Sequence, residues 1–135
     1  MKRYLSRLLS LLLVILVSFV GFAPAANATV SLTGDYNQDT TALVKSLRES
    51  IQVPDDSPDR STVQAEARQL INDFSARYRR DASVAKLNSY TTVRTALNSL
   101  AGHYSSYPNR PVPQKMRDRL EQEFKQIELA LSRGS

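Results

Sequence analysis

"LNSYTTVRTALNSLAGHYSSYPNRPVP", residues 87–113, holds the transition on which the fold turns. Tyr90, Val93, Leu97, Leu100, Ala101 and Tyr104 recur at steps of three and four, and Val84 and Leu87 carry the same spacing upstream. That is the period of an apolar stripe on a helix. The pattern then stops. Serines, Tyr107, Asn109 and an arginine boxed between prolines, Arg110, follow before a new pattern begins after Pro113. Proline cannot continue a helix, and three prolines within six residues make this connection a stiff corner.

Working outward, the same period appears three more times. Downstream, Met116, Leu120, Phe124, Ile127, Ala130 and Leu131 form a stripe, with Gly134 placed for a left-handed cap. Upstream of "RRDAS", Val63, Ala67, Leu70, Ile71, Phe74 and Tyr78 form another, with Ser57 as N-cap and Pro58 at the first helical position. Before "VPDDSP", Tyr36, Thr40, Leu43, Val44, Leu47 and Ile51 form the first. No stretch alternates with the period of a strand. Four one-sided stripes joined by mostly short connections predict an all-α, up-down-up-down antiparallel four-helix bundle. "TVSLTGDYN", residues 29–37, is polar and reads as a short flexible arm.

Residues 1–28 are read apart from this domain. Lys2, Arg3 and Arg7 precede an uncharged apolar run, and Ala26 and Ala28 follow in the pattern of a cleavage site. This is the layout of a signal peptide, with cleavage expected after Ala28 and the domain occupying 29–135. The apolar run is short for a retained span, which needs about 20 residues. The whole chain carries 18 basic and 13 acidic residues. Losing the three basic residues of the leader leaves 15 and 13, a net of +2. A nucleic-acid partner, which bulk positive charge would support, is therefore not expected. With no cysteine, the exported domain must be stable through packing alone.

Catalytic apparatus is not legible. His103 is the only histidine, Leu100 stands three residues before it, and no inward carboxylate set accompanies it. It reads as a helix-end histidine facing solvent or bonding a carbonyl, not as a metal ligand. There is no glycine-rich phosphate loop and no nucleophile constellation. Glu121 and Lys125 read as a surface pair one turn apart. We expect no catalytic residue, no metal and no cofactor.

Two clusters remain, and each has two readings. Arg77, Tyr78, Arg79 and Arg80 close the second helix, as helix-end cations or as a binding patch. Tyr104, Tyr107, Asn109 and Arg110 line the corner, as local packing or as a displayed edge. All eight are candidate partner-binding residues, and alternating helix directions would place the two clusters at opposite ends.

"LTGDYNQDT" (32–40), "SLRESIQVP" (46–54), "INDFSARYRRD" (71–81) and "TALNSLAGHYSSYPNRPVPQKMRDRLEQEFKQIELAL" (95–131) resemble the cyanobacterial photosystem II assembly-factor family Psb-twenty-seven. The resemblance covers essentially the whole exported chain. It implies a monomeric four-helix bundle in the thylakoid lumen. Such a protein binds assembly and repair intermediates of photosystem II at the lumenal side of the inner antenna chlorophyll protein, before the manganese cluster and extrinsic subunits mature. It also implies neither enzyme activity nor a cofactor. Cyanobacterial members typically carry a cysteine at the end of the leader, and "FAPAANATV" has none. Peripheral attachment through protein contacts is therefore expected in place of a lipid tether. The rival is a periplasmic bundle that binds a small ligand or metal, which an inward polar cluster would favour.

Overall fold

The computed structural model describes residues 30–135. The leader and its cleavage position lie outside the described residues. Within them the chain is all-helical, with five helices and no strand. In chain order these are α1 (Tyr36–Ile51), α2 (Arg60–Tyr78), the single turn α3 (Ala82–Ala85), α4 (Asn88–Ser106) and α5 (Gln114–Ser132). None is long and apolar enough to cross a membrane.

Each boundary has a local cause. The Asp35 carboxylate accepts from the Gln38 amide at 2.9 Å and starts α1. The start of α2 differs from the sequence expectation. Ser57 sits in a preceding turn, its hydroxyl accepting from the Asp59 amide at 3.3 Å, and the helix begins at Arg60. The stretch 84–104, read as one helix, is two. Asp81 caps α3 through the amides of Ser83 and Val84, then Leu87 takes an extended conformation and α4 restarts at Asn88. At the far end Gly134 has φ 74°, its amide donates to the Leu131 carbonyl, and the Ser135 amide reaches back to Ala130. That pairing is a Schellman motif, and it fulfils the expected cap.

The apolar stripes meet in one core. Phe74, Leu100 and Leu120 are fully buried, and Phe124, Leu43 and Ile127 nearly so. Among the four long helices, α1 packs on α2 and α5, and α4 packs on α2 and α5. Side-chain contacts identify which helix ends meet. At one end, which we call the arm end, the Tyr36 hydroxyl lies 2.9 Å from the Ser89 hydroxyl. There also Tyr78 bonds Asp39, and Asn37 donates to the Leu131 carbonyl. At the other, the corner end, Ser50 lies 3.5 Å from the Tyr104 hydroxyl, and Arg60 donates to the Asn109 carbonyl.

Glu121 does not pair along its own helix with Lys125. Arg48 of α1 reaches across to α5 and grips Glu121 at 2.9 Å and Glu128 at 2.8 Å. The two carboxylates raise the arginine's already high pKa, and Arg48 holds the Glu128 carboxyl below its ordinary value. All three side chains touch water, so this clamp fixes helix register more than it adds stability, about 1 kcal/mol at most.

Gly102 is exposed inside α4, and an added Cβ there would meet nothing within 4 Å. Gly102→Ala is expected to stabilise the fold by about 0.5 kcal/mol, read as a small rise in urea midpoint at unchanged slope.

Candidate functional site

Two surface regions follow from this arrangement. At the corner end, α4 runs out at Ser106 and the chain turns through Pro108, Asn109 and Pro111 into α5. Asn109 has φ 63°, a left-handed conformation that asparagine tolerates better than most residues. The turn presents its carbonyls inward. Arg60 donates to the Asn109 carbonyl, Gln64 donates to the Arg110 carbonyl at 3.1 Å, and the His103 ring nitrogen lies 3.4 Å from that same oxygen. Val112 is buried beneath. With the backbone held from below, the side chains point outward. Tyr107 is 51% exposed, the Arg110 guanidinium lies 5.9 Å from its ring centre, and the His103 ring lies 5.5 Å from it. The result is a short strip of imidazole, phenol and guanidinium, with Asn109 exposed beside it.

Tyr104 does not belong to that strip. It is 2% exposed, its hydroxyl turned toward Ser50 in the core, where burial raises its pKa. The expectation that it is displayed is corrected: its place in the α4 stripe aims it inward.

At the arm end, Arg77, Arg79 and Arg80 are exposed and in no ion pair among the described residues. Tyr78 is again a core residue, 3% exposed, in a cluster with Phe74 (ring centres 4.8 Å apart) and Tyr36 (5.4 Å). This corrects its assignment to the surface patch. Its hydroxyl donates to Asp39 at 2.5 Å. Burial and the bonded carboxylate push the phenol up to about 12.

Asp39 is what sequence reasoning missed. It is 2% exposed, and its carboxylate accepts four hydrogen bonds: the Thr33 amide at 2.7 Å, the Thr33 hydroxyl at 2.8 Å, the Gly34 amide at 3.0 Å and Tyr78. Burial alone would raise its pKa, but these donors together hold it below the ordinary carboxylate range. The arm read as flexible is thereby tied down at Thr33 and Gly34. Gly34 has φ 92°, a backbone conformation that favours glycine, and the flexible end of the Arg77 side chain lies over it. A signal did exist in the sequence. Asp39 lies three residues after Tyr36 and four before Leu43, on the inward side of the stripe, where a charge needs partners.

Among the described residues, no three His, Cys, Asp or Glu side chains gather where an ion could bind. Among the described residues an open groove is lined by Ile51, Gln52, Gln114, Arg117, Asp118 and Glu121. It brings none of the sequence-flagged residues together.

Comparison with known proteins now bears on this helical body. Residues 4–131 match the family described as Photosystem II Pbs27. The chain is 60% identical over 108 residues to the photosystem II assembly factor lipoprotein Psb27 of Thermosynechococcus vestitus, covering 80% of this chain and 81% of that protein. It is 47% identical over 134 residues to the photosystem II lipoprotein Psb27 of Synechocystis, covering 99% and 97%. The chloroplastic photosystem II repair protein PSB27-H1 of Arabidopsis thaliana is 31% identical over 89% of this chain and 70% of its own length. In three dimensions the solution structure of Psb27 from cyanobacterial photosystem II superposes with a TM-score of 0.75 at 47% identity, covering 84% of this chain and 98% of that one. The Arabidopsis crystal structure of PSB27 gives 0.71 at 32% identity, covering 74% and 98%. A match along nearly the entire length, in sequence and in backbone alike, means that the chain belongs to the photosystem II Psb27 family.

Proposed function

We propose that this protein is a non-catalytic accessory factor for photosystem II assembly and repair. It binds the lumenal side of immature complexes at a lumenal loop of the inner antenna chlorophyll protein, before the manganese cluster and extrinsic subunits are in place. The relatives' names supply the photosystem connection. The four long helices form an up-down-up-down antiparallel bundle, reached after removal of residues 1–28. The product is a monomer held peripherally on the lumenal face of the thylakoid membrane by protein contacts.

The observation that carries the binding mode is the strapped corner. Tyr107 is the exposed aromatic of a strip whose backbone is held in place by Arg60, Gln64 and His103. A surface that is already ordered loses little conformational entropy on docking. Aromatic residues and arginines dominate interface energetics when both become buried. Arg110 stacked on Tyr107 can fork onto a carboxylate of an acidic loop while the ring covers apolar area. Tyr104 and Tyr78 support the fold beneath and make no contact with the partner. A 19-residue helix spans about 28 Å, so the arginines of the arm end cannot share one short loop with the corner.

The test is co-purification with immature photosystem II. Tyr107→Ala and Arg110→Ala are each expected to lower recovery about tenfold, with helicity and melting temperature unchanged. Normal recovery of both variants refutes the corner as the contact.

A further inference from the structure

We propose that the arm end of the body, carrying Arg77, Arg79 and Arg80, docks on an anionic lipid surface. Four observations converge on it. First, the three arginines are exposed, and no carboxylate among the described residues pairs with them. Second, the helix-end contacts bring Lys86 and Arg133 to the same end. Lys86 lies just before α4, whose Ser89 meets Tyr36, and Arg133 lies just past Leu131, whose carbonyl meets Asn37. Both are exposed and outside any ion pair there. Third, the acidic side chains nearest this end are engaged in the fold, Asp35 and Asp81 as charged caps of α1 and α3 and Asp39 buried on its four donors, and the five cations outnumber them. The corner end differs, with Asp55, Asp56 and Asp59 exposed beside its basic residues.

The fourth observation is where the chain leaves the body. Thr33 and Gly34 are fixed to Asp39, and Gly34 lies against the Arg77 guanidinium, so the N-terminal arm is tied down at this end of the body. The apolar run of the leader ends at Phe22, eight residues before Val30. Eight residues span at most about 29 Å, so while the leader is membrane-bound Val30 is held within that distance of the lipid surface. Cleavage after Ala28 leaves an α-ammonium group at the same end, adding a cation where the tether is lost. The chain has no cysteine to carry a lipid, so charge is the attraction its own residues supply.

This proposal does not rest on the corner reading, and its test contains no photosystem. Exported protein is mixed with vesicles of phosphatidylcholine alone, or with about a third phosphatidylglycerol, and floated at low salt. Each basic residue near such a surface changes partitioning about fivefold, and the effect fades beyond a Debye length. Protein is expected with the anionic vesicles only, and raising salt to about 0.5 M is expected to release it. The triple change Arg77→Gln, Arg79→Gln, Arg80→Gln is expected to lower partitioning about a hundredfold. Arg79→Gln with Arg80→Gln, which spares the contact with Gly34, is expected to lower it about twenty-fivefold, and Arg110→Ala to leave it unchanged. Equal flotation with neutral and anionic vesicles overturns the proposal, as does undiminished binding by the triple variant.

Discussion

Asp39→Ala is expected to lower the unfolding free energy by about 3 kcal/mol, and in a body of this size to drop the melting temperature by about 12–20 °C. The four donors set the magnitude. The amides of Thr33 and Gly34 and the Thr33 hydroxyl regain water once the arm is released, so their loss is moderate. Tyr78 cannot do the same. Its hydroxyl stays buried and loses its only bonded carboxylate, the costly half of a broken hydrogen bond. Asp39→Asn keeps an acceptor without the charge and is expected to lose about half as much. Calorimetry on both variants checks the order.

The same carboxylate gives a pH signature. Its folded pKa lies below its ordinary value of 3.8, so the unfolded chain takes up the proton first as acid is added. Its stabilisation is complete above about pH 4 and disappears as pH falls through the lower folded value. Asp39→Asn is expected to flatten that acid limb and to leave the neutral-pH slope unchanged. Asp81 and Glu128, also held low, retain the remaining acid sensitivity.

Phe74→Ala is expected to cost about 4 kcal/mol. The ring is fully buried, 4.8 Å from Tyr78 and 6.3 Å from Tyr36, at the centre of the arm-end core. Truncation removes transfer energy and leaves a cavity between rigid neighbours that refill it poorly. Because Tyr36 and Tyr78 lose their packing partner, near-ultraviolet circular dichroism is expected to weaken along with the melting temperature. Asp39→Ala and Phe74→Ala both act through Tyr78, so the double variant is expected to be less destabilised than the sum of the two. A strictly additive pair would show that the aromatic cluster and the carboxylate latch are independent.

The helical stripes were legible because burial repeats with helical period. Leu43, Val44 and Leu47 on α1, Leu70, Ile71 and Phe74 on α2, and Leu120, Phe124 and Ile127 on α5 are all buried as their spacing requires. His103 stands near a carbonyl, as one of its readings had it, and Gly134 caps α5. The site was harder to read. Tyr78 and Tyr104 were counted in a stripe and in a patch, and the stripe decided, since a residue has one direction from its helix. The break at Leu87 was invisible because Val84 and Leu87 keep the apolar period across it. Asp39 escaped because three of its donors come from an arm read as flexible, Thr33 and Gly34, and the fourth, Tyr78, comes from the far end of α2, a pairing that only tertiary structure creates. The inward straps of Arg60 and Gln64 on the corner were hidden for the same reason.

The left-handed turn at Asn109, with its carbonyl turned inward, has a kinetic consequence. A partner meeting this edge waits for no loop to order, so encounter proceeds at the rate set by orientation alone, about 10⁵–10⁷ M⁻¹s⁻¹ without steering. Substitutions along the edge then change dwell time and leave arrival nearly constant. On the docking we propose, trimming the exposed phenol of Tyr107 or the guanidinium lying over it is expected to shorten each visit of the departing companion.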